Sequence, residues 1–407
     1  MQIKRVFSTL LFVCFMHVLA TAQVYTIKDL GPLTPTAINN WGQIVGSYND
    51  QAYLWNFGHM HALGLLPGGD FSIPAAINDL GAVVGVADGN ATVVSSNEKS
   101  YTCTDVPQGF GWTPNQDIEG FGLMLIGNAN PCLFTNASIV TYATSINDFG
   151  QSVGTIDWGS FTYVLALGHN GVVWSNGMYV LPYPTGLHLV YPLTEANAIN
   201  NHGQVAGAVG CCATLTLGHA LLWDTSDTID LGTLGGPDDY FHDYCSDALG
   251  INDLGQIVGW STTVASQQAG ACGYAGTLTP HAFTWTKKQG MEDLGTLPGD
   301  TMSMARAINY FGEVIGTSGD STEFEGFPHP GHDPYHNILG IAVQGRPFIW
   351  SPRRGMKDLN ELIGPHSHWV LTTASGINDW GEIVGEGTRN GEAHGYLLTP
   401  INPFRPY

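Results

Sequence analysis

The stretch Ile251-Asn252-Asp253-Leu254-Gly255-Gln256-Ile257-Val258-Gly259 decides the fold, because the chain carries seven versions of it. The others run Ile38 to Gly46, Ile77 to Gly85, Ile146 to Gly154, Ile199 to Gly207, Ile308 to Gly316 and Ile377 to Gly385. Each keeps Ile-Asn, a glycine three residues after the asparagine, and a closing glycine. Recurrence of this kind marks a repeat architecture in which every unit is one supersecondary module. The step after Ile-Asn is hairpin chemistry: Asn and Asp side chains cap tight turns and Gly accepts positive φ.

Two weaker phrases accompany each copy. One is a short aromatic run ending in Trp55, Trp112, Trp174, Trp223, Trp285 or Trp350, with Leu398 in the seventh. The other is Asp-Leu-Gly or a relative, as at Asp29 to Gly31, Leu63-Gly64, Asp230 to Gly232, Asp293 to Gly295 and Asp358 to Asn360; copies two and three are degenerate here. Each repeat therefore reads as four strands. A is the apolar run into Ile-Asn, B is Gln-Ile-Val-Gly, C is the run into Trp, and D is the Asp-Leu-Gly phrase. The consecutive apolar residues of C imply burial on both faces. Repeated seven times, this predicts an all-β, seven-bladed β-propeller of four-stranded antiparallel blades. A diverged repeat hidden in 86–142 would make eight. Tyr25 to Gly31 reads as a strand D with no preceding A, B or C, and the last repeat lacks a D. The N-terminal strand is thus expected to complete the last blade, closing the ring and removing a sheet edge.

The phrases resemble the HAF-repeat family of extracellular proteins, whose His-Ala-Phe run stands here at His281-Ala282-Phe283. The Leu-Gly-Thr-Leu steps at Leu231 to Leu234 and Leu294 to Leu297 are similar to that family as well. The resemblance implies an extracellular location and a repeat fold; it brings no reaction or ligand. Residues 1–22 read independently as a signal peptide: basic Lys4 and Arg5, apolar Val6 to Leu19, and Ala20-Thr21-Ala22 as cleavage site. A single domain, 23–407, secreted to the extracellular space or periplasm without a membrane span, is expected to remain, as a monomer.

The net charge of −21, with only 12 % charged residues, argues against nucleic acid and anionic membrane as partners. Beyond the leader, Cys103, Cys132, Cys211, Cys212, Cys245 and Cys272 form an even set that fits disulfides in an exported chain. Cys103 with Cys132 is the expected first pair. Cys245 with Cys272 beside a vicinal Cys211–Cys212 bond is one solution for the rest, and crossed pairing is another.

Length variation is concentrated in the B–C connections (86–107, 155–170, 208–218, 260–280, 317–345) and the D-to-A connections (119–142, 233–247). These emerge at one end of the blades, which makes that end the expected binding face. On it lie the candidate ligand-binding residues Asp238, Asp239, Tyr240, Trp158, Trp260 and Tyr335. The carboxylates, with Asp243 and Asp247, suit calcium or acid–base glycoside cleavage, and the aromatic rings suit stacking on a sugar. His329, His332, Asp333 and His336 form the one dense set of metal-ligand types, suited to a divalent metal such as zinc. The repeated asparagines (Asn39, Asn78, Asn147, Asn200, Asn252, Asn309, Asn378) read as turn builders, and His281 and His394 as structural members of the repeat. No P-loop or Cys-x-x-Cys occurs, and no catalytic residue is assigned. The expected function is a non-catalytic propeller binding a carbohydrate or protein. The alternatives are an extracellular glycan-active hydrolase or lyase, or a structural matrix or cell-surface protein.

Overall fold

Seven antiparallel sheets succeed one another around an axis in the computed structural model, which describes residues 24–94, 100–122, 139–159, 167–183, 192–211, 216–224, 227–235, 245–263, 279–324 and 341–401. Blade 5 shows the plan: strand A Ser246–Ile251, B Ile257–Thr262, C Pro280–Thr286 and D Gly290–Gly295, hydrogen-bonded in that order. Six blades are four consecutive strands of this kind. Blades 2 and 3 form strand D as well, from Gln116–Gly120 and Met178–Val180, where the sequence phrase is degenerate. The described residues form seven blades and no eighth.

Blade 7 is assembled from both ends of the chain. Tyr25–Gly31 pairs with strand C, Glu392–Pro400, in the register Tyr25↔Pro400 to Gly31↔Gly395. Tyr25 is buried in one cluster with Ile349, Leu362, Trp369, Tyr396 and Leu398, which anchors the closing strand in the blade 6–7 core. Strand A of this blade is split into Trp369–Leu371 and Gly376–Ile377, both pairing with Ile383–Arg389.

The repeat phrases acquire physical reasons here. Strand A of each of blades 1 to 6 carries an irregularity such as that between Ala248 and Gly250, and a bulge of this type bends its strand. The closing glycine of strand B lies against the carbonyl just before the irregularity. A Cβ on Gly154 would stand 1.8 Å from the Tyr142 carbonyl oxygen, and one on Gly259 1.9 Å from that of Asp247, so no other residue fits. The His-Ala-Phe phrase serves three contacts at once. His281 Nδ1 lies 2.9 Å from the Asp293 carboxylate on strand D, Ala282 is fully buried, and Phe283 pairs with Gly259, whose missing side chain leaves it room. Burying each such ring contributes about 2–3 kcal/mol. The same cross-strand pair recurs as His219–Asp230, Arg346–Asp358 and His394–Asp29. In the last case it joins residues from opposite ends of the chain, so the closing strand restores the ordinary blade down to its side chains.

Three stretches expected as B–C loops are instead continuations of the blade. Val83–Val94 pairs with Ser100–Thr113, Ser152–Gly159 with Leu167–Trp174, and Val314–Phe324 with Ile341–Ser351. Residues such as Ala91-Thr92-Val93-Val94 favour the extended backbone, so these insertions lengthen the hairpin into a ribbon at its insertion-bearing end.

Candidate functional site

The A–B turns meet at the axis on the end opposite the ribbons. In each turn the repeat asparagine is a hub. The Asn252 side-chain oxygen accepts from the backbone N–H of Leu254 (3.1 Å) and of Gln256 (3.0 Å), and Gly255, at φ 71°, closes the turn by donating its N–H to the Asn252 carbonyl. The amide nitrogen reaches out of its own blade. Asn39 donates to the Asn78 carbonyl, Asn78 to Asn147, Asn147 to Asn200, Asn200 to Asn252, Asn252 to Asn309, Asn309 to Asn378, and Asn378 back to Asn39, at 2.9–3.1 Å. These buried amides are therefore turn builders, as the sequence implies, and also a closed ring binding every blade to the next.

A second ring lies beside it, built by the next residue of each turn: Asn40, Asp79, Asp148, Asn201, Asp253, Tyr310 and Asp379. Six of the seven backbone N–H groups meet the following side chain, as in Asn40 to Asp79 and Asp148 to Asn201, at 2.8 Å, the exception being Asp253, which Tyr310 follows. Asn40 donates its amide to both Asp79 and Asp379, and Asn201 to both Asp148 and Asp253. The two amides thus bridge two pairs of carboxylates, and Tyr310 interrupts the pattern. Together with the seven isoleucines of the Ile-Asn step, the two rings line an open recess of about 240 Å³. Four carboxylates face it, and no Lys, Arg or His lines it among the described residues.

The third residue of each turn stands at the tip, where backbone geometry turns its side chain away from the blade. These seven are Trp41, Leu80, Phe149, His202, Leu254, Phe311 and Trp380. Six are large apolar residues between 57 and 76 % exposed, and Tyr310 beside them is 45 % exposed. Trp380 is held in place by its indole N–H donating to the Asn40 carbonyl at 2.9 Å, and Tyr310 and Phe311 pack edge to face. Single exposed apolar residues are ordinary on protein surfaces, whereas large exposed groups clustered on one face mark sites of interaction. Recurrence at one turn position places these around the recess as a crown.

Among the residues expected to act, Trp260 is 1 % exposed and packs with Cys245, Met302, Met304 and Val343, so its ring is engaged in the core between blades 5 and 6. Trp158 lies in the ribbon strand Ser152–Gly159, paired with Ile139 and Gly168. Asp238, Asp239, Tyr240, His329, His332, Asp333, Tyr335, His336, Cys132, Cys212 and Cys272 lie outside the described residues, and Cys211 ends strand B of blade 4. Cys103 and Cys245 are buried and disulfide-bonded. No group of three or more His, Cys, Asp or Glu side chains is placed to hold a metal ion among the described residues, the axial carboxylates included. Nor is any described helix long and apolar enough to cross a membrane.

Asp247, grouped with the acidic loop in the sequence, stands instead on strand A of blade 5, 6 % exposed, and accepts from the Asn197 amide at 2.9 Å. Burial first, and then the neighbouring Glu195 carboxylate, push its carboxyl well above the ordinary value. Asp247 is thus held in the wall between blades 4 and 5, with the half-buried Glu195 beside it. Sequence reasoning also missed a third interblade device. Ser303 accepts from the Ala282 N–H and donates to the Gly295 carbonyl, and Ser72 and Ser246 do the same for their preceding blades. The signal available was a serine a few residues before each of three Ile-Asn steps.

No protein-family model and no curated protein matches the chain. Among solved structures it is similar to an oligogalacturonate lyase in complex with manganese, at 11 % identity and a TM-score of 0.48, over 94 % of this chain and 96 % of that one. It is also similar to the extracellular domain of a one-component system from B. thetaiotaomicron, at 10 % identity and a TM-score of 0.40, over 93 % of this chain and 40 % of that one. A third is Trypanosoma rangeli sialidase, at 10 % identity and a TM-score of 0.35, over 93 % and 60 %. Likeness at this level carries no argument about activity.

Proposed function

We propose that this chain is an exported, non-catalytic binding propeller of the HAF-repeat kind, which holds a protein or carbohydrate ligand on the face formed by its A–B turns. The observation that carries the reading is the crown of exposed large apolar residues surrounding the polar axial recess. A propeller blade needs no large apolar residue at this turn tip to fold, since blade 4 carries His202 there. Trp260, an aromatic candidate of the insertion-bearing face expected from loop lengths, is buried and closed to a ligand. Of the carboxylates that the sequence gathers in the acidic loop, Asp247 is the described one, and its burial in the wall between blades 4 and 5 removes it from contact with a substrate. The test is a binding screen of residues 23–407 on peptide and glycan arrays, repeated with Leu80→Ser, Phe149→Ser and Phe311→Ser combined. Binding lost in that variant at unchanged thermal stability supports the reading. Binding unchanged in it, or turnover of a glycan abolished by Asp247→Asn, overturns it.

A further inference from the structure

We infer that the occupant of the turn face is a protein segment that presents a lysine or arginine side chain to the axial recess, with its apolar neighbours resting on the crown; this rests on the reading of that face given above. Charge complementarity selects the occupant. Asp79, Asp148, Asp253 and Asp379 bring four carboxylates to one recess whose lining carries no basic residue, and Asn40 and Asn201 answer them only with neutral amides. A desolvated cation between carboxylates gains charge-assisted hydrogen bonds that a neutral group cannot make. The aromatic crown members Trp41, Phe149 and Trp380 offer faces that attract a cation further. The crown members Leu80 and Leu254 offer aliphatic surface suited to apolar side chains rather than to sugar stacking. An anionic glycan or lipid surface is repelled by the same carboxylates. A second copy of this chain, set face to face, would oppose one acidic recess with another.

The surrounding charge orients the segment. Lys287, Lys288, Arg353 and Arg354 are exposed on the C–D turns of blades 5 and 6, and Lys287 shares a surface pocket with Leu254 and Asp253, so a cation reaching this face is turned from that sector toward Asp79, Asp148 and Asp379. None of the four lines the recess, whose charged side chains are all carboxylates.

The experiment uses the mature chain, residues 23–407, and three capped heptapeptides of sequence Gly-Ser-Trp-X-Leu-Ser-Gly, with X lysine, norleucine or glutamate, titrated by calorimetry in 50 mM and 500 mM NaCl. The lysine peptide is expected to bind at least tenfold more tightly than the norleucine peptide in 50 mM salt. That advantage should shrink in 500 mM salt, where ionic attraction is screened, and the glutamate peptide should bind worst. Combining Asp79→Asn, Asp148→Asn, Asp253→Asn and Asp379→Asn should erase the lysine advantage while norleucine binding persists. Equal binding of lysine and norleucine peptides to the unmodified chain overturns the inference without needing any variant. If the Leu80→Ser, Phe149→Ser, Phe311→Ser chain still weakens both, the turn-face reading survives that result. No binding of the lysine peptide up to millimolar concentration, binding of a neutral oligosaccharide in its place, or a dimer in light scattering that the crown variant dissolves, also overturns it.

Discussion

Replacing Asn252 by alanine should cost about 3–4 kcal/mol of stability. The side chain is 6 % exposed and makes four hydrogen bonds: its oxygen accepts from Leu254 and Gln256 N–H, and its amide donates to the Gln256 side chain and to the Asn309 carbonyl of the next blade. Each such bond contributes about 0.5–1.5 kcal/mol net. The Asn309 carbonyl keeps its bond from Gly312 N–H, so the loss falls short of four full bonds with stranded partners. Asn78 supplies an internal comparison. Ala82 stands where Gln256 stands, and the Asn78 side chain makes three of the four contacts; Asn78→Ala should therefore cost about 1 kcal/mol less. Asn252→Asp separates turn from ring. Aspartate is an equally good turn residue, but it puts a buried oxygen against the Asn309 carbonyl, so it should cost as much as alanine. The assay is urea denaturation, read as a shift in midpoint at constant slope. A silent Asn252→Asp, or a loss below about 1 kcal/mol for Asn252→Ala, would refute the interblade role and leave only a turn preference.

Other predictions test the closure and the buried charges. Gly259→Ala should lower stability by about 3 kcal/mol or more, beyond ordinary overpacking, because its Cβ would stand 1.9 Å from a carbonyl oxygen; thermal denaturation within a degree of the parent chain would discredit the bulge explanation. Deleting residues 24–31 bares the edge of Glu392–Pro400 and should produce oligomers in light scattering, so a stable monomer would contradict strand closure. Burial alone would raise Asp29 and Asp293, but the backbone N–H groups of Gly31 and Gly295 and the partners His394, Arg389 and His281 outweigh it and hold both below the ordinary value of 3.8. Their contribution is therefore present above that pH and lost as pH falls through the lower folded value. Asp29→Asn with Asp293→Asn should flatten the loss of stability on acidification below pH 3.8, and an unchanged acid limb in circular dichroism would reject the assignment. Asp247 has the opposite sign: burial and Glu195 raise it, so its contribution falls as pH rises. Asp247→Asn should raise the melting temperature at pH 7, and a lower one would show the charge to be better accommodated than its burial implies.

The blade count, strand order and ring closure were legible because each rests on local rules repeated seven times. Ile-Asn and the positive-φ glycine are turn chemistry, and the orphan Asp29-Leu30-Gly31 phrase could complete only a blade lacking strand D. The reasons for the closing glycine and for His281 were not legible, since both depend on atoms of a neighbouring strand that no spacing rule specifies: the Asp247 carbonyl for Gly259, the Asp293 carboxylate for His281. The form of the insertions was not legible from their length. Long insertions in a propeller read as loops, yet Val83–Val94 and Ser100–Thr113 are one ladder. The crown was in plain view as the variable residue of Asn-Asp-x-Gly, where Trp, Leu and Phe are poor choices for an exposed turn. The ring of amides required knowing that seven turns converge, which becomes physical only when the circle closes.

The most direct test of the account is amide hydrogen exchange of residues 23–407 with and without saturating lysine heptapeptide. The account predicts slowed exchange confined to the A–B turn segments, around Trp41, Leu80, Phe149, His202, Leu254, Phe311 and Trp380, with the ribbon strands Val83–Val94, Ser100–Thr113, Val314–Phe324 and Ile341–Ser351 unchanged. Protection of the ribbons with unaffected turns, or no protection anywhere, would contradict it.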